Sequence, residues 1–116
     1  MQNGTLYNLV KQGCFTLPQS NAILLSLCET LHYIHSRNFI HGDLKLENIL
    51  ISGKFKIIMT DFGFAQPCDA GISTIFGSEG YTAPEIFTGG PIDLKKCDIF
   101  SLGVIYFILV TGSIPF

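Results

Sequence analysis

Tryptophan is absent from these 116 residues, arginine occurs once, at Arg37, and charged side chains make up only 14% of the chain, against about a quarter in an ordinary globular domain. The shortage of cations excludes most. With seven Lys and Arg against nine Asp and Glu, a net charge of -2 and no basic block, the chain lacks the clustered positive charge that nucleic-acid phosphates require. The four cysteines, Cys14, Cys28, Cys68 and Cys97, have neither the close paired spacing of a zinc site nor a secretory leader beside them, so reduced and mostly buried thiols are expected. Long apolar runs are also missing. The longest, Ile99 to Val110, is interrupted by Ser101 and falls short of the ~20 residues that span a bilayer. Neither a nucleic-acid nor a membrane partner is expected, and the reading is of a cytoplasmic protein. Repeats and low-complexity tracts are likewise absent.

What is present is apolar: 47% of the chain is hydrophobic. Such a composition does not stay disordered, and it carries more apolar surface than one small domain hides, so the chain is expected to be a piece of a larger domain. Thr16 followed three residues on by Gln19, with Pro18 between them, is a capping-box start. From there Leu24, Leu27, Cys28, Leu31 and Ile34 recur at helical spacing, predicting a helix that ends near Ser36 and Arg37. Upstream, Leu6, Leu9 and Val10 predict a shorter helix closed by Gly13. Beyond Asn38 the apolar pieces are short and β-branched. Ile49-Leu50-Ile51 and Phe55 to Met59, joined by Ser52-Gly53-Lys54, predict a hairpin. The glycine-rich stretch from Cys68 to Gly90 reads as a long functional loop. Asp98 is expected to open a helix, apolar nearly all round, that Gly112 stops.

Three polar segments stand apart from these apolar surroundings. They are His41-Gly42-Asp43-Leu44-Lys45-Leu46-Glu47-Asn48, Asp61-Phe62-Gly63, and the stretch from Gly77 that ends in Ala83-Pro84-Glu85. Asp61 follows Asn48 by thirteen residues, across the predicted hairpin, and Ala83 follows Asp61 by 22. Together and in this order they resemble the protein-kinase signature of catalytic loop, metal-binding triplet and activation-loop end, over almost the whole chain.

The resemblance implies an α+β, mainly α fold, the core of a kinase large lobe, with a short hairpin bearing the catalytic and metal-binding loops. It implies ATP and Mg²⁺ as cofactors and a protein partner with a Ser or Thr acceptor. Asp43 would orient the acceptor hydroxyl and Lys45 would balance charge on the transferred phosphate. Asn48 and Asp61 would supply the hard oxygens that Mg²⁺ prefers. Lys45, Glu47, Asn48, Leu50 and Asp61 would line the nucleotide site, Leu50 together with Ile105 and Leu109 beneath the adenine. Ser78 and Tyr81 would help to dock the acceptor peptide. The resemblance pairs His41 with Phe62 in a stack that Asp98 anchors, Asp98 serving also as a helix N-cap. His32 and His35 read as surface or packing residues, without a partner at metal spacing.

Two departures qualify the match. Gly42 stands where many kinases carry an arginine that clamps a phosphorylated activation loop, so Ser73 or Thr74, once phosphorylated, would lack that partner. The Gly-rich phosphate loop, the strand lysine and its helix glutamate have no counterpart in this sequence. The expectation is therefore a partial serine/threonine kinase domain over 1–116, inactive on its own, whose large helix is over-exposed and whose Glu85 lacks its family arginine and is unpaired or solvated. The alternative is a kinase-like binding or scaffold module without phosphoryl transfer.

Overall fold

The computed structural model describes residues 4–13, 15–52, 56–63, 65–68, 80–88 and 92–112. Thr5 caps the first helix, α1 (Leu6–Gln12), through a side-chain oxygen that accepts from the Asn8 amide, and Gly13 ends it. The long helix α2 (Leu17–Ser36) starts as its sequence dictates. The Thr16 hydroxyl accepts from the Gln19 backbone and the Gln19 side chain accepts from the Thr16 amide, with Pro18 in the first turn, so orphan donors at the helix start are satisfied reciprocally. The chain leaves α2 through Asn38, whose φ of 64° lies in the left-handed region that asparagine tolerates better than most residues.

Among the described residues four short strands follow in two antiparallel pairs. The predicted hairpin forms from β2 (Ile49–Ile51) and β3 (Ile57–Met59), in the register Ile49 to Met59 and Ile51 to Ile57. Its tip, residues 53–55, lies outside the described residues, but the Ser52 amide donates to the Lys56 carbonyl at 2.9 Å and closes the turn. The other pair joins β1 (Phe39–Ile40) to β4 (Gln66–Pro67), a pairing no local sequence signal marks. Within the expected loop from Cys68 to Gly90, α3 (Glu85–Thr88) forms a single helical turn. The last element, α4 (Leu94–Thr111), ends as predicted at Gly112, with φ of 77°.

The core lies where α2, α4 and the hairpin meet. Ile23, Leu27 and Leu31 of α2 face Ile105, Ile108 and Leu109 of α4, with Ile49 and Ile51 beneath. The two helices are also tied by polar groups. The Tyr106 hydroxyl donates to Asn21 Oδ1 at 2.6 Å, and the buried Ser20 hydroxyl donates to the Leu109 carbonyl at 3.5 Å. The mainly helical α+β architecture of the sequence reading is what the chain adopts.

Four readings are corrected. The helix start is Asp93, whose carboxylate accepts from the Lys95 and Lys96 amides; Asp98 sits one turn inside the helix and is buried, so it is no N-cap. The buried stripe of α2 runs through Ser20, Ile23, Leu27 and Leu31, and Cys28 is exposed. Of the described cysteines only Cys97 is buried, although all three are free. Glu85 is half-buried and has a polar partner, whereas Arg37 lies over the Tyr33 ring, 4.8 Å from its centre. The expectation of an over-exposed α4 holds: Ile99, Phe107 and Val110 are each more than two-fifths exposed.

Candidate active site

Two buried groups hold the first polar segment in place, one on α4 and one within the segment itself, and the second ties it to the segment that carries Asp61. The first is Asp98. One of its carboxylate oxygens accepts from the His41 amide at 2.8 Å and from His35 Nε2 at 3.0 Å, and the other accepts from the Gly42 amide at 3.0 Å. A carboxylate only 2% exposed is tolerable because donors from α2 and from the loop surround it. Gly42 turns the chain at φ of 89°, a conformation that strains a residue with a side chain.

The second is the His41 ring. The Asp43 amide donates to its Nδ1 at 3.0 Å, which assigns the proton to Nε2, and Nε2 then donates to the Thr60 carbonyl at 2.8 Å. The ring also packs against Phe62, with centres 4.6 Å apart and planes tilted by 56°. One imidazole thus links the loop holding Asp43 to the segment holding Asp61.

Within the loop, a 3₁₀ turn over Leu46–Asn48 folds Asn48 back on Asp43. Its Nδ2 donates to the Asp43 carbonyl at 2.8 Å and to the Asp43 carboxylate at 3.3 Å. Lys45 Nζ lies 3.9 Å from the same carboxylate oxygen. Asp43 and Asn48 are buried, Lys45 is half-buried and Glu47 is exposed. Across the hairpin, Thr60 binds the Asn48 carbonyl through its amide at 2.8 Å and its hydroxyl at 3.1 Å. Asp61 comes next, at φ of 58°, exposed, with its Oδ1 accepting from the Gly63 amide at 3.4 Å. The structure therefore brings Asp43, Lys45 and Asn48 into one cluster, with Asp61 one residue from a direct tie to Asn48.

The remaining sequence-predicted residues are more scattered. Leu50 is half-buried in β2, while Ile105 and Leu109 are fully buried in α4. Tyr81 is half-buried beside Leu46, and its carbonyl accepts from the Ser101 hydroxyl at 2.6 Å. Burial pushes the Tyr81 phenol above its ordinary range. Burial, followed by the charges of Glu85, Asp98 and Asp93, pushes the Cys97 thiol up to about 11. Ser73, Thr74, Gly77 and Ser78 lie outside the described residues. Sequence reasoning missed His35 as a partner of Asp98, and missed Thr60 altogether. The one signal for His35 was its place in the last turn of a helix leading straight into the loop.

A model of the protein kinase domain matches residues 1–116. The chain belongs to the protein kinase domain family. Among curated proteins it is 36% identical to "Serine/threonine-protein kinase SIK1" of Rattus norvegicus over 118 residues, covering 99% of this chain and 15% of the relative. It is likewise 36% identical to "Serine/threonine-protein kinase SIK2" of Gallus gallus, with the same coverage. To "Serine/threonine-protein kinase kin-29" of Caenorhabditis briggsae it is 40% identical, covering 97% of this chain and 14% of the relative. The chain thus spans about one-seventh of the length of the kinases it matches. No helix among the described residues is long and apolar enough to cross a membrane.

Proposed function

We propose that this chain carries the catalytic-loop side of a site that transfers the terminal phosphoryl group of Mg²⁺-ATP to a Ser or Thr hydroxyl of a protein. The observation that carries this reading is the Asp43–Asn48 cluster, in which one buried carboxylate, one cation and one amide are locked together within six residues and tied through Thr60 to Asp61. Asp43 orients the acceptor hydroxyl and takes its proton. A carboxylate fits that task because phosphoryl transfer asks for aim more than for strong base. Lys45, beside it, offsets charge on the phosphate oxygens.

Among the described residues no three His, Cys, Asp or Glu side chains are placed to hold an ion together. That suits Mg²⁺, which keeps water and phosphate oxygens and takes only one or two protein ligands. Asp61 and the Oδ1 of Asn48 are the oxygens we assign to it, since Asn48 Nδ2 is committed to Asp43. When bound, the ion neutralises phosphate charge. Leu50 and Glu47 are assigned to the nucleotide side of the loop, and Tyr81 and Ser78 to the acceptor peptide. Because the sequence holds no Gly-rich phosphate loop and no strand lysine, we assign the other wall of the site to residues outside this chain. A cytoplasmic location belongs to the same reading.

The test joins the chain to the small lobe of one of the serine/threonine-protein kinases it resembles and follows label from ATP into Ser, Thr and Tyr peptides. Transfer to Ser or Thr that disappears in Asp43→Asn and Asp61→Asn supports the reading. Label on Tyr peptides alone, or transfer that survives Asp43→Asn, overturns it. A chimera that folds and binds ATP without transferring label favours the scaffold alternative.

A further inference from the structure

Thr60 makes more bonds to the site than any residue the family pattern singles out between the two metal-side groups. Its amide and its hydroxyl both donate to one atom, the Asn48 carbonyl, at 2.8 and 3.1 Å, and its own carbonyl accepts from His41 Nε2 at 2.8 Å. The amide bond continues the hairpin ladder and would exist for any residue there. The hydroxyl bond is specific to the side chain. It fills the second lone pair of the Asn48 carbonyl and so fixes the plane of the peptide that leaves Asn48. The Asn48 amide donates to the Lys45 carbonyl at 3.0 Å, and Nδ2 is held by Asp43 at 2.8 Å. With both sides pinned, the Asn48 side chain keeps one orientation.

We propose that Thr60 is a positioning residue whose hydroxyl, through the Asn48 carbonyl, holds the Asn48 amide and Asp61 at the spacing needed to share phosphate-bound divalent ions. This rests on the assignment of Asn48 and Asp61 as oxygen ligands. Outer partners of this kind hold ligand geometry, and their loss weakens metal binding without removing a ligand. A competing explanation is simple strand preference, since Thr is β-branched. Valine separates the two, because it has the same shape and an equal or better strand preference but no hydroxyl.

The experiment compares the small-lobe chimera described above in its unaltered, Thr60→Val and Thr60→Ser forms. Without ligand, ¹⁵N relaxation and proton exchange of the Asn48 side-chain amide are read by NMR. Then Mn²⁺ is titrated in the presence of ATP, and paramagnetic broadening of the Asn48 and Gly63 amides gives an apparent dissociation constant. Thr60→Val is expected to mobilise the Asn48 side chain and to weaken Mn²⁺-ATP binding about three- to tenfold. Thr60→Ser should restore both to within about twofold, since it returns one hydrogen bond. An Asn48 amide equally ordered in Thr60→Val overturns the proposal, even if nucleotide binding falls, because the hydroxyl would then act directly on the ligand. Asp61→Asn separates the levels. If it abolishes broadening while Thr60→Val leaves it intact, only the role of Thr60 is refuted. If broadening survives Asp61→Asn, or is absent from the unaltered chimera, the ligand assignment itself is refuted and the Thr60 proposal falls with it.

Discussion

Asp98→Asn removes one negative charge and one acceptor from the anchor of the catalytic loop at almost constant volume. The carboxylate takes three donors, from His41, Gly42 and His35, and is 2% exposed. An asparagine presents one oxygen. Placed toward His41 and His35, that oxygen leaves its own NH₂ facing the Gly42 amide. Flipped, it satisfies Gly42 and confronts the His41 amide with a donor, although His35 could then accept by changing tautomer. In either orientation one buried backbone N–H loses its acceptor, a cost of about 1–3 kcal/mol. The bonds that survive lose their charge assistance, and with it roughly half their strength. The expected destabilisation is about 2–4 kcal/mol, a large share of the ~5–15 kcal/mol that holds an ordinary domain. With a urea slope of about 1–2 kcal/mol per molar, the unfolding midpoint should drop by more than about 1 M. Amide exchange at Gly42 or His41 should accelerate beyond that of core α2 amides in the same sample. Asp98→Ala should cost more, because both backbone donors and His35 are then stranded. If Asp98→Asn leaves the unfolding free energy within about 0.3 kcal/mol of the parent and both amides protected, the loop is held by something other than this carboxylate.

Gly42→Ala places a side chain at φ of 89°, so it should lose about 1–2 kcal/mol in urea unfolding. Stability equal to the parent would mean that the loop turns differently. Thr16→Ala deletes the acceptor for the Gln19 amide and should cost about 1 kcal/mol, visible as a lower melting temperature with unchanged far-ultraviolet signal below the transition. Cys97, buried with its thiol pushed up to about 11, should resist iodoacetamide at pH 8 while the exposed Cys28 is alkylated; mass spectrometry of digests showing equal modification contradicts this. The same shift fixes a sign. A thiol that holds its proton longer when folded contributes stability that is intact below the unfolded thiol's titration range and is lost as pH rises toward 11. Stability of the parent should therefore decline over that alkaline window, and Cys97→Ala should show a shallower decline.

Local elements were legible in sequence where a short-range rule acts alone. The Thr16–Gln19 box, the Gly13 and Gly112 stops and the Ile49–Met59 hairpin each depend on residues within a few positions of one another. The polar signature was legible for the same reason: Asp43, Lys45 and Asn48 sit in one turn, and Asp61 is one hairpin away. The start of α4 was misplaced because Asp98 was given two roles, helix cap and anchor of the His41 stack, and in the folded chain it holds only the second while Asp93 caps the helix. The burial of Asp98 depends on donors 56 to 63 residues away in sequence.

The sequence by itself therefore determined the helices, the hairpin and the cast of polar groups, because capping, turn chemistry and apolar periodicity are read over a handful of neighbouring residues. Tertiary structure alone decided which face of α2 is buried, that β1 pairs with β4, and that His35 and Thr60 complete the ties that Asp98 and His41 make around the loop. Those outcomes follow from satisfying buried donors and acceptors across the whole chain, a requirement that no local window contains.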